Sequence, residues 1–359
     1  MDTNQNKESK DGPAARAAAD ASGGSSSQPA THYRAPQAHL KALERLLERG
    51  LALEHGANIF PLLHIVLYYL ILFSLAGGWV KSPYLKVPLW TLLVLLNYSL
   101  SIGILHLHAH RKLFTKRLPN RLVEFLLCIP CGLSYPLMLY VHVYLHHRYE
   151  DEDHDPTSTK RSKKGLPAVW YWIRYPYVCH QATIGGLFGR KAAPVWKKLR
   201  FQYIADTSSV FVIMLAYGMA DPSGMLAYYA LPLLIVSINI GFFAWLTHAP
   251  AKQGPVDGSI NTTNNWMNLL IHNQGYHAVH HQHPGLHWTM LPDRLEMMHS
   301  VDDALIVPYW VTLQNALRIL HPRSFRNASH GKTWKRRYLK LLAAGRHRLS
   351  ILPYFSWIR

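Results

Sequence analysis

Residues 277–288 read HAVHHQHPGLHW, five histidines in twelve positions. Neither a core nor a surface helix needs imidazoles at that density. Two further clusters lie upstream, HLHAH at 106–110 and HVYLHH at 142–147, and His248 closes the apolar stretch AWLTHAP. On an α-helix, residues three or four apart share a face. His106 is therefore expected to point with His110, His142 with His146, and His277 with His280 and His281. His147 should be turned about 100° onward from His146.

Imidazole nitrogens are good ligands for iron, zinc, copper and nickel. Nine such groups exceed the four ligands of a closed zinc site, and they suit two metal ions with room left for oxygen. His55, His64, His180, His272, His287 and His299 stand apart from these clusters and are read as ordinary core or surface residues. His108, His154 and His283 lie near the clusters but off their register. Of these, His108 is the candidate to support the ligands from behind, along with Asp151, Asp153, Asp155 and Asn273.

The clusters alternate with apolar segments long enough to span a bilayer, which takes about 20 residues. Four spans are predicted, at Ile59–Trp79, Val87–Leu107, Tyr203–Ala220 and Met225–Leu246. Leu122–Tyr140 is apolar but holds Glu124, Pro130, Gly132 and Pro136. A crossing there would separate His108 from His147, so an interfacial or re-entrant segment is expected. The fold class is thus all-α, a multi-pass membrane protein with four transmembrane helices and a cytosolic histidine-rich cap.

Charge sets the orientation. The chain carries 38 Lys and Arg against 20 Asp and Glu, a formal net charge of +18. DPSG, between the third and fourth spans, has no basic residue, whereas HRKLFTKRLPNR, the block 160–200 and the C-terminal stretch are rich in them. The positive-inside rule then places both termini and the histidines in the cytoplasm. A basic balance beside such spans favours anionic lipid over nucleic acid as partner.

Residues 1–37, rich in Ala, Ser and Gly, are expected to be disordered, and no secretory signal peptide is predicted. Residues 38–56 read as an amphipathic surface helix, 57–322 as the membrane domain and 323–359 as a basic amphipathic tail. Three cysteines form no disulfide framework, and Cys128 and Cys131, although spaced C-x-x-C, read as packing residues.

Together these features resemble the membrane fatty acid desaturase and hydroxylase superfamily. Its three histidine boxes, H-x3/4-H, H-x2/3-H-H and H-x2/3-H-H, are matched in order. HHRYEDEDHDP is similar to the family's HH-x-Y-x-x-x-x-x-D-P, and NQGYHAVHHQHP to its N-x-G-Y-H-x-x-H-H-x-x-P. The resemblance covers about residues 59 to 295. It implies a nonhaem di-iron centre held by His106, His110, His142, His146, His147, His277, His280 and His281. His248 matches the extra histidine after the last span. Many members have an acid after the first histidine of box one; here it is Leu107.

The resemblance further implies O2 as co-substrate, a fatty acyl or lipid chain as substrate and a double bond as product. HPGL at 283–286 lacks the second glycine of the haem-binding HPGG of cytochrome b5, and no flavin or nicotinamide glycine fingerprint occurs. Electrons are thus expected from another protein of ferredoxin, rubredoxin or cytochrome b5 type with its reductase. A hydroxylase, ketolase or acetylenase would use the same centre, and AWLTHAP is faintly similar to carotenoid ketolases. A zinc membrane hydrolase and a metal transporter or sensor are the alternatives from other classes. The transporter would need metal-binding residues inside the spans, where apart from His64 and Asn97 they are sparse.

Overall fold

A computed structural model of the chain describes residues 38–159, 168–190, 194–197, 199–249, 258–262 and 265–297. The expected N-terminal and C-terminal tails, and His299, lie outside the described residues. The chain divides into two compact units, Met1–Ala42 and Leu43–Arg359, and the nine candidate histidines all belong to the second. The fold is all-α; among the described residues no strand occurs beyond the isolated bridge between Leu53 and Phe114.

Helix α1 covers Ala38–Leu51, and a 3-10 turn at Gly56–Asn58 leads into α2, Ile59–Ala76. Helix α3 runs Pro83–His110, α7 Arg200–Ala220 and α8 Pro222–His248. Four helices are long and apolar enough to cross a membrane: α2 with its leading turn, α3, α7 and α8. Between α3 and α7 come α4, Arg117–Cys131, α5, Tyr135–Tyr149, and α6, Ala168–Phe188. Among the described residues three short helices follow α8: α9, Asn265–Leu270, α10, His277–Gln282, and α11, Leu291–Met297.

Helix ends follow local chemistry. Helix α2 stops at Gly77–Gly78, where Gly78 takes the left-handed φ of +66° that side chains disfavour. This is three residues short of the expected Trp79. Helix α4 likewise stops at Gly132, with φ +63°. The Asp221 carboxylate caps α8 by accepting from the Gly224 N–H at 2.9 Å. Leu93, Leu100, Ile104, Leu127 and Leu137 are fully buried in one core among the helices.

Helices α4 and α5 meet at 89°. Pro130 has no N–H to return to Leu126 O, so that carbonyl would be orphaned in an apolar setting. Tyr69 of α2 donates its hydroxyl there at 2.6 Å, and Tyr229 near the start of α8 donates to Ile129 O at 2.6 Å. The tip of α4 thus lies deep among the spans. The chain leaves the histidines at His110 and returns to them at His142, so the bent pair makes no net crossing. Cys128 and Cys131 are buried free thiols on α4. Burial pushes the Cys131 thiol up to about 12, consistent with packing.

Helix α6 packs along α8. A Cβ on Gly241 would stand 2.5 Å from Trp172 O and 2.8 Å from its Cα. These are backbone atoms on a neighbouring helix and cannot step aside. Gly241→Ala should therefore force the helices apart and destabilise the fold by about 1–3 kcal/mol. Thermal unfolding in detergent measures it, and an unchanged midpoint would refute this packing.

Candidate metal centre

The nine candidate histidines come together from four places in the chain. They form two groups: His106, His110, His142, His147 and His280, and then His146, His248, His277 and His281. Within each group the ligand atoms all lie within 4.8 Å of one another. In the first, Nε2 of His280 is 2.8 Å from that of His106 and 3.2 Å from that of His147, which is 3.1 Å from His142 Nε2. In the second, His248 Nε2 stands 3.1 Å from His146 Nε2 and 3.0 Å from His277 Nε2, which is 3.2 Å from His281 Nε2.

A neutral imidazole has one N–H, so converging nitrogens cannot all be paired by hydrogen bonds. His110 Nε2 is buried with no partner. Ions bound at about 2.1 Å hold adjacent nitrogens roughly 3.0–3.4 Å apart. The spacing and the all-nitrogen donor set therefore fit two metal ions.

The grouping departs from the α-helical expectation. Residues Met138–His146 are a π-helix, and the His147 N–H bonds to His142 O. A π turn aligns residues five apart, so His142 faces the same ion position as His147. His146, expected beside His142, turns to the other group. A second π-helix, Ser99–Leu105, delivers His106 and His110. On α10, His277 and His281 share a group at α-helical spacing while His280 faces the first.

Outer contacts fix the rings. Asp155 Oδ2 lies 2.7 Å from His146 Nδ1, and Gly258 O is 2.9 Å from His248 Nδ1. A proton held on each Nδ1 leaves Nε2 free to bind metal. Asp155 also accepts from the N–H groups of Asp151 and Thr157. Asp151 accepts from the backbone and hydroxyl of Thr159, pinning the loop after box two without touching a histidine. Asp153 is exposed, away from the buried nitrogens. Asn273 is buried with φ +61°, and its amide donates to Trp288 O at 3.1 Å; it shapes the turn before α10 and has no recorded contact with His277.

His108 is fully buried and points away from both groups, 3.5 Å from Glu124 Oε1. Glu124 also takes the Lys112 ammonium at 2.6 Å and the Gln202 amide at 2.8 Å. Burial opposes its charge, but His108 and Lys112 outweigh that and lower its pKa to about 2. Leu107, where an acid is common in the resembled family, instead packs with Tyr276, Val279, Trp288 and Leu291. It joins the first box to the third by apolar contact. His287 is bound to Asn58 and stacked on His55 at 3.9 Å, while His154 and His283 lie outside both groups.

Three contributors escaped the sequence reading. Asn261 Oδ1 accepts from Ala278 N and Val279 N, at 3.0 and 3.2 Å, capping the helix of the third box. Glu150 Oε1 stands 3.1 Å from His281 Nδ1, off the hydrogen-bonding line. Burial first, then Asp155, raises the Glu150 carboxyl to about 7 against the pull of His146. Glu124 is the third. Asn261 and Glu124 lie many residues from any box and carry no local signal, whereas Glu150 stands three residues after His147, at the head of an acidic run that does not single it out.

Burial, and then neighbouring imidazoles, lower the pKa of His277, His280 and His281 well below 6.5. These rings are neutral when folded, while the unfolded chain takes up protons below about pH 6.5. Their stability contribution is present above that pH and lost below it. His146, raised by Asp155, runs in the opposite sense. Metal-free protein should thus unfold more readily as pH falls from 7 to 5, read by denaturation midpoints; a flat profile would contradict neutral burial. Asp155→Asn should weaken metal binding about 10–100-fold in chelator competition. Unchanged affinity would remove Asp155 from the centre.

No curated protein matches the chain. The family model for fatty acid desaturases, however, matches residues 82–313, well over half of its length and including every histidine of both groups. With the histidine clusters and the four membrane-spanning helices, this match shows that the chain belongs to the fatty acid desaturase family.

Proposed function

We propose that this membrane oxidoreductase is an O2-dependent desaturase that introduces a double bond into a fatty acyl or lipid chain. The single observation that carries the reading is the convergence of nine imidazoles into a group of five and a group of four. Iron suits an all-imidazole set with open positions, so His106, His110, His142, His147 and His280 would hold one ion. His146, His248, His277 and His281 would hold the other. When bound, a reduced pair would supply the electrons and open positions that let O2 act as oxidant on an unactivated C–H bond.

The residues of the chain orient and exclude. Asp155 and the Gly258 carbonyl keep the proton of His146 and His248 on Nδ1. Leu107, Tyr276, Val279 and Trp288 pack a dry wall between the first and third boxes. Glu150, whose carboxyl is raised by burial to about 7, stands beside His281. The positive-inside pattern supports a cytoplasmic centre, where a ferredoxin, rubredoxin or cytochrome b5 type donor with its reductase would deliver electrons. Hydroxylase, ketolase and acetylenase outcomes use the same ligand set and are distinguished by product.

Lipid analysis of cells expressing the chain, beside His277→Ala and His281→Ala, tests the reading. A new unsaturated lipid should appear with the parent and fall at least tenfold with either variant. The same lipid at equal level in the variants would sink the assignment. Zinc alone in the purified protein, with O2-insensitive activity, would favour a hydrolase.

A further inference from the structure

On the two-ion reading above, we infer that Glu124 of α4 is a positioning residue for the first ion. It locks the turn of box one in the rotation that aims His106 and His110 at the first group. The turn needs such a lock. It follows directly on the π-helix Ser99–Leu105, which closes one more residue into each hydrogen-bonded turn than an α-helix. If that segment relaxed to α, everything after it would rotate by about 100°. Even a rotation of about 20° would move a ring nitrogen about 2 Å, at a side-chain radius of about 5–6 Å. A metal–nitrogen distance tolerates about 0.2 Å. Box one carries no acid of its own, because Leu107 packs into the apolar wall toward the third box.

Contacts on the far side of the turn supply the lock. Residues two apart on a helix diverge by about 200°, so His108 points away from the side that His106 and His110 share. Its ring is fully buried, with Nε2 3.5 Å from Glu124 Oε1. Tyr135 of α5 closes on the same ring, with centroids 5.9 Å apart. Just past the turn, the Lys112 ammonium donates to Glu124 Oε1 at 2.6 Å and stands 3.3 Å from the Tyr135 centroid. One carboxylate oxygen thus meets a residue inside the turn and another beyond its end, which fixes rotation as well as position. The carboxylate is itself held. It is buried, and its second oxygen accepts from Gln202 of α7 at 2.8 Å. One helical turn earlier on α4, Asn120 grips Phe114 by its N–H at 3.0 Å and by its carbonyl at 2.7 Å. Asn120 and Glu124 share a face of α4, so that face holds the exit from box one at two points. Box one gives both of its rings to the first group and none to the second. The lock therefore acts on one ion position and not on the other.

Titration of the metal-free full chain in detergent with cobalt(II), followed by its visible absorption, tests the lock. The parent should bind two ions per chain, and the spectrum left in His110→Ala marks the ion of the second group. Glu124→Leu should weaken the first group about 10–100-fold, as loss of a supporting residue does, and leave the second unchanged. Glu124→Leu combined with Lys112→Leu, which strands no ammonium, should do the same. Asp206→Asn breaks the neighbouring pair between Asp206 and Arg121 and should leave both affinities unaltered. Equal first-group affinity in the parent and both Glu124 variants would overturn the lock. So would parallel weakening of the two groups, which marks a general loss of structure, or a first-group loss in Asp206→Asn as large as in Glu124→Leu. A parent that binds fewer than two ions would sink the two-ion reading, and the lock with it.

Discussion

Nine imidazoles aim their nitrogens at two small volumes from which carboxylates are absent, and this constraint governs how the rest of the molecule is built. Each unpaired buried nitrogen costs about 1–3 kcal/mol, and the rings also repel one another once protonated. A shared cation would make such crowding favourable. The surrounding structure keeps the rings neutral, keeps them dry and fixes their tautomers. Asp155 and Gly258 O do the last of these on the Nδ1 side. The acids Glu124, Glu150 and Asp155 stay outside the converging nitrogens.

The adjacent histidine pairs tie the two groups together. His146 and His147 face different groups, and so do His280 and His281. Neighbouring residues on a helix diverge by about 100°, so each pair straddles the two positions. Box one contributes both its rings to one group, and His248 balances the other. The separation of the two groups is therefore written into covalent geometry at two points.

Residue spacing revealed a good deal. The four spans stand where long apolar runs predict them, and the interfacial or re-entrant reading of Leu122–Tyr140, made to keep His108 on the side of His147, falls where α4 and α5 meet at 89°. The set of nine histidines was legible because imidazoles at such density have few other uses. Their allotment was not, since the i,i+4 rule assumed an α-helix where Met138–His146 is a π-helix. The local sequence there gives no sign of the extra residue per turn. Contacts of long sequence separation, such as Asn261 to Ala278 and Gln202 to Glu124, were equally hidden. Asp153 illustrates the converse, an acid in a suggestive run that faces solvent while Asp155, two residues on, carries the contact.

The histidines gather at one end of α3 and of α8, while the opposite ends are joined through Trp90 Nε1 to Ala227 O at 2.7 Å. Membrane helices meet a change in bilayer thickness by tilting. A ligand cage tolerates little such movement, so the cage end becomes the pivot and the remote end takes the swing. Thin and thick bilayers would then change the lean of the helices at their remote ends while leaving the histidine end of the bundle still.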